Sequence, residues 1–259
     1  ITGYIRQPDV MRATTCIVLG AILAASATAG AAEPEAPTPL FTADEILAVT
    51  IDAPIATLMD VRPDEAYLKG SFTFPDLDGT ERRVNLKLRT RGNYRRNPEH
   101  CDFAPIRLNF VKSEVQGTLF DGQDKLKLVT HCRTWEEDFE EFIYREYLAY
   151  RIYQVLTEVS YRVRLLDITY YDTQKDKELK RIGFVIEDDG DVRDRNGLER
   201  VKARYLDYQY YDPANASLVN LFEFMIGNTE YSLVNPEPGK NCCHNTDVVS
   251  ESGGPPYLS

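Results

Sequence analysis

The strongest constraint in this chain is a two-residue alternation that recurs in consecutive segments. Val84, Leu86, Leu88 and Thr90 alternate with Arg83, Asn85, Lys87, Arg89 and Arg91. Ile106, Leu108 and Phe110 repeat the pattern, and so does Lys125-Leu126-Lys127-Leu128-Val129. Neighbouring side chains on a strand point to opposite faces, so each segment reads as a half-buried strand with one apolar and one polar side. Turn signals separate these runs: Asp76-Leu77-Asp78-Gly79, Gly92-Asn93, Gly117 and Gly122. A short strand over Ser71–Phe74 precedes them.

The pattern then changes period. From Glu136 to about Thr157 it is helical and opens on acidic residues, which suit a helix N-terminus. Tyr161–Tyr171 and Arg181–Glu187 read as strands joined by a polar loop, which predicts a hairpin. Asp212-Pro213 and Gly227 bracket an apolar stripe of Leu218, Leu221, Phe222, Met225 and Ile226, the signature of a capped helix. Thr42-Ala43-Asp44-Glu45 fits a capping box, whereas Leu47–Ile51 reads as a strand, and both readings stand. With 259 residues, 43% hydrophobic and 27% charged, the chain has material for a sizeable core. Strands, a helix, a strand hairpin and further helices predict an α+β fold with a mainly antiparallel sheet, in one domain over residues 42–259.

The first residues read as processing signals. Residues 1–10 look like upstream translation. Residues 11–32 carry Met11-Arg12, an apolar run from Cys16 to Ala25 and Ala-x-Ala cleavage choices at Ala27–Ala29 or Ala29–Ala31, which together make a signal peptide. The run is too short to span a bilayer, so no membrane span is expected after cleavage. Residues 33–41, with Pro34, Pro37 and Pro39, read as an extended linker. The expectation is an exported protein, periplasmic, cell-envelope or secreted. Ser252–Ser259 reads as turn material leading into a strand, so the domain is expected to be C-terminally incomplete. Lys plus Arg number 30 against 41 for Asp plus Glu, a net charge of −11, which argues against nucleic acid as a partner.

Removal of the signal leaves four cysteines. Cys101 precedes the strand at Ile106, and Cys132 follows the strand at Lys125. In an antiparallel pair the start of one strand lies beside the end of the other, so a Cys101–Cys132 disulfide is expected. Cys242 and Cys243 would then form a strained vicinal bridge or remain thiols; Cys242-Cys243-His244 also suggests zinc, but adjacent ligands fit one tetrahedral ion poorly.

Three features are candidates for chemistry. Arg82 to Arg96 holds seven basic residues and no acidic one, a candidate anion site that also reads as a solvated strand face. Glu146 falls on the apolar stripe of its helix, where a carboxylate needs a Lys or Arg partner from the sheet, or else lies at the stripe's edge. Glu187–Asp191, Asn228–Ser232 and His244-Asn245 supply carboxylate and amide oxygens that suit Mg²⁺ and phosphate or ordinary turns.

Together these pieces resemble the spore-coat CotH-type family of secretory protein kinases. The resemblance is carried by Leu88-Arg89-Thr90-Arg91-Gly92-Asn93-Tyr94-Arg95, Pro105–Phe110, Asp124–Leu128, Arg145–Arg151, Gly183–Glu187, Gly227–Ser232 and His244-Asn245. It implies an atypical kinase-like α+β fold, with a mainly antiparallel sheet, a long packed helix and a partial helical lobe. It also implies ATP with Mg²⁺ or Mn²⁺, and phosphoryl transfer to an extracytoplasmic protein. Arg89, Arg91, Gly92, Asn93, Arg95 and Arg107 would meet the nucleotide. Lys127 or Arg107 would pair with Glu146, Glu230 would stand where the family has a catalytic Asp, and Asn245 would hold metal. Glu230 is one methylene longer than that Asp, and the family's second metal-binding Asp falls beyond the last residue, so an inactive fragment is expected. The alternative is a non-catalytic cell-envelope protein whose basic strand holds an anionic polymer or protein.

Overall fold

The alternating segments form strands that close on themselves. The computed structural model describes residues 38–136, 138–202, 206–234, 243, 246–251 and 256–258. The signal-peptide and upstream readings, Cys242, His244 and Asn245 therefore lie outside the described residues. Seven strands, β1 (Leu47–Ala53), β2 (Leu68–Pro75), β3 (Glu81–Thr90), β4 (Ile106–Phe110), β5 (Lys125–Val129), β6 (Val163–Asp172) and β7 (Lys177–Ile186), form a closed barrel in the order β1-β2-β3-β4-β5-β7-β6. Neighbours are antiparallel except β1 and β6, which pair in parallel from Leu47↔Leu166 to Ala53↔Asp172.

That parallel seam overturns the kinase-like α+β expectation. An open sheet with a packed helix and a helical lobe would leave β1 or β6 as an edge, whereas here each covers the other. The alternating pattern cannot separate the two architectures, because a barrel interior and a sheet's core face both take every second side chain. The interior is filled by Val49, Ile51, Phe72, Leu86, Leu88, Ile106, Leu108, Leu126, Leu128, Ile168 and Tyr170. Phe120 plugs the space between Phe72 and Phe74, with ring centroids 5.1 and 4.6 Å away. Leu40, in a 3₁₀ turn over Pro39–Phe41, is fully buried in the same core, so the end of the proline-rich stretch is packed.

Five helices accompany the barrel, α1 (Ile55–Val61), α2 (Lys112–Val115), α3 (Phe139–Leu156), α4 (Asp189–Asn196) and α5 (Pro213–Ile226), and Ile55 and Leu58 of α1 and Val115 of α2 belong to its core. Helix α3 covers the outer face of β5, β7 and β6, where Ile143, Tyr147 and Tyr150 pack on Val129, Val163, Leu165, Phe184 and Ile186. Helix α5 starts on the Asp212 cap, whose carboxylate accepts from the Asn215 amide, and ends on left-handed Gly227. Its Phe222 packs against Tyr153 of α3 in a tilted pair with ring centroids 4.8 Å apart. Three short strands, β8 (Glu199–Arg200), β9 (Val248–Ser250) and β10 (Pro256–Leu258), form a second sheet.

The expected disulfide is present. Phe103 and Cys132 form an antiparallel bridge between the segments flanking β4 and β5, and Cys101 and Cys132 are joined with their Cα atoms 4.6 Å apart. Closing a loop of 31 residues contributes about 3–4 kcal/mol in the chain-entropy model. No helix among the described residues is long and apolar enough to cross a membrane.

Candidate functional site

The polar sides of β3, β4 and β5 share one register on the outside of the barrel. Arg89 lies opposite Arg107, and Arg107 opposite Lys127. Like charges side by side on a sheet repel, so their neighbours must compensate. Arg89 is drawn away: its guanidinium stands 5.4 Å from the Tyr67 ring centroid and donates to the carbonyl oxygen of Asp64. It ties down the segment before β2.

The other cations meet carboxylates from two directions. Arg107 lies 3.6 Å from Asp188, and Lys127 donates to Asp189. Both acids come from the start of α4, where the Asp188 side chain caps the helix by accepting from the Gly190 amide. The Lys127 ammonium also sits 5.0 Å from the Tyr161 ring centroid. Arg95 donates to Glu146 of α3 at 2.9 Å. The expected pairing of Glu146 with Lys127 or Arg107 is therefore not formed. Glu146 meets Arg95 from the turn after β3, and α4 supplies the acids for the two sheet cations. The Glu187–Asp191 segment, read from sequence as a loop, is that helix and its cap. Its signature was present in Asp188, in Arg193 and Arg195 of the last turn, and in Gly197, which is left-handed.

Arg91 feels the charges of Arg95, Arg107 and Glu146. Its backbone amide donates to the Pro105 carbonyl at 2.9 Å, which anchors it just beyond β3. Its guanidinium is partly buried and forms no ion pair among the described residues. Burial lowers its pKa, Arg107 and Arg95 add to that, and Tyr150 and Glu146 oppose it. The Tyr150 hydroxyl is pushed up by burial and by Glu146. Burial alone would raise the Asp189 carboxyl, but Lys127, the Tyr161 hydroxyl and Arg107 hold it below the usual range. Arg107 Nε is buried without a hydrogen-bond partner.

A groove of about 450 Å³ begins at Arg95 and Glu146. Phe139, Phe142 and Ile143 of α3 form one wall, Tyr94 and His100 another, and the Cys101–Cys132 disulfide lies along it. Tyr94 and His100 are stacked with ring centroids 3.7 Å apart.

No protein-family model, curated protein or solved structure matches this chain. Gly92 and Asn93 form an exposed turn beside Arg91. Glu230 is exposed after α5, where its backbone amide donates to Asn228 Oδ1, and its carboxylate makes no contact with the cations described above. Asn245 lies outside the described residues. Among the described residues, Asp188 and Asp189 fit a divalent ion poorly. Each is engaged by a cation, so a divalent ion would have to displace Arg107 and Lys127 from them. No group of three or more His, Cys, Asp or Glu among the described residues is placed to hold a metal.

Proposed function

We propose that this protein is a non-catalytic binding module of an exported compartment, and that it holds an anionic group of an extracytoplasmic partner on the outer face of its barrel. The observation that carries this reading is Arg91. Around it Arg95, Arg107 and Lys127 each have a carboxylate within ion-pair distance, while Arg91 only shares the influence of Glu146, which is paired with Arg95. A partly desolvated guanidinium that shares its nearest carboxylate with a second arginine gains from a bound anion through strong charge-assisted hydrogen bonds. The disulfide supports an oxidising location.

The test is calorimetric titration of the full chain with polyglutamate and with polyphosphate at several NaCl concentrations, with and without EDTA. Binding of either should weaken with salt, survive EDTA and disappear in Arg91→Glu. It should persist in Arg83→Glu, whose exposed side chain lies elsewhere on β3 and pairs with Asp52. Circular dichroism verifies folding of both variants. Binding untouched by Arg91→Glu overturns the proposal. So does binding that requires ATP together with Mn²⁺, which would restore phosphoryl transfer.

A further inference from the structure

We infer that the group received by Arg91 is a side-chain carboxylate of a partner peptide, and that an apolar or aromatic side chain of the same peptide lies in the groove beside it. This rests on the anion-site reading above and narrows it.

The first argument is charge. Four cations, Arg91, Arg95, Arg107 and Lys127, face three carboxylates, Glu146, Asp188 and Asp189, which leaves one positive charge. A carboxylate neutralises that charge. A phosphate monoester, with close to two negative charges at neutral pH, leaves an excess in a partly desolvated site where Glu146 and Asp189 already stand.

The second argument is continuity. Arg95 and Glu146 belong both to the cation cluster and to the lining of the groove, so a ligand seated on Arg91 has the groove as its next surface. That surface is largely apolar and aromatic. Phe142 is 52% exposed and Tyr94 70% exposed, and Phe139 packs against Phe142 at 5.3 Å. A polyphosphate chain gains nothing from these rings, whereas a peptide side chain removes them from water. The groove lining adds Arg133, whose guanidinium, among the described residues, donates only to the backbone carbonyl of Glu99, at 3.0 Å. It offers a second acidic side chain a partner. An acidic peptide with interleaved aromatic residues matches every one of these features, because an extended strand places charged and apolar side chains alternately.

The test is fluorescence anisotropy on the full chain with a labelled Gly-Glu-Phe-Glu-Phe-Gly peptide. Three comparison peptides replace both Glu by Gln, both Phe by Ala, or both Glu by phosphoserine, and polyphosphate is the polymer control. The expected result is binding of the Glu-Phe peptide that weakens at least tenfold in Arg91→Gln, in Phe142→Ser, and in the Gln and Ala peptides. Phe142 is a half-exposed helix position, so its serine variant should fold. Tighter binding of the phosphoserine peptide overturns the carboxylate assignment. Polyphosphate binding that depends on Arg91, with no binding of the Glu-Phe peptide, overturns this inference and leaves the anion site standing. Failure of every probe overturns both.

Discussion

The two most telling arginines have opposite energetics. Arg195 meets Glu187 through two contacts of 3.1 Å, with side-chain exposures of 8% and 4%, and it also donates to the carbonyls of Glu158 and Ser160. Glu187 in turn accepts from the Arg162 amide at 2.9 Å. Removing one partner of such a pair strands a buried charge. Glu187→Ala should therefore cost about 3–5 kcal/mol in urea unfolding, while Glu187→Leu with Arg195→Met should recover most of that loss. Arg91 is the reverse case: it carries burial without an ion pair. Arg91→Met should raise the stability of the unliganded protein by about 0.5–2 kcal/mol while abolishing anion binding, the usual trade at a functional group. A loss of stability in that variant would mean that Arg91 is structural. The sequence showed that this stretch is basic and that Glu146 needs a cation. It did not show which cation, because that depends on how far the turn at Gly92 reaches toward α3. Nor did it show that Glu187 is buried, since a run of acids after a strand reads equally as a solvated loop.

At the scale of elements, most of the strands, α3 and α5 were legible from period and capping alone. Helix α1 was not, because its seven residues carry no capping side chain and follow a proline. Barrel closure was also hidden. It depends on β1, where a capping box and a strand pattern compete, and on a parallel pairing with β6 that no local signal encodes. One residue reports on how tightly β7 is held between its neighbours. Gly183 of β7 lies opposite Leu166, and a Cβ there would stand 2.7 Å from the Val129 carbonyl oxygen and 2.8 Å from Ile168 Cδ1. The backbone oxygen and the packed isoleucine have little room to retreat. Gly183→Ala should thus lose about 1–3 kcal/mol by overpacking. An unchanged denaturation midpoint would mean that Val129 and Ile168 do not crowd Gly183 from β5 and β6.

The whole molecule should show an acid response in which two buried groups oppose each other. His131 is 1% exposed between Phe103 and Tyr170, and its pKa is pushed down to about 4, first by burial and then by Arg181, against Asp102. The unfolded chain binds a proton near pH 6.5 and the folded chain does not, so His131 removes stability as pH falls from 6.5 to about 4. The full loss is about 3 kcal/mol. Asp191 has the opposite sign. Burial, then Asp188, Glu187 and Asp194, push its pKa up to about 6. The folded state takes up that proton first, so Asp191 adds stability as pH falls from about 6 to 3.8, somewhat less than His131 removes because it is only partly buried. Below that window Asp76 adds a further loss. Burial would raise its carboxyl, but the amides of Leu77 and Leu119 and the Arg82 guanidinium outweigh this and hold it low, and protonation breaks those bonds. Between pH 6 and 4.5 the wild-type urea midpoint should therefore change little. Asp191→Asn should expose the histidine, so that stability falls steadily with acid. His131→Gln should expose the aspartate, so that stability rises over the same interval. If both variants stay as flat as the wild type, neither burial shifts a proton, and the weak pH dependence is not a cancellation between His131 and Asp191.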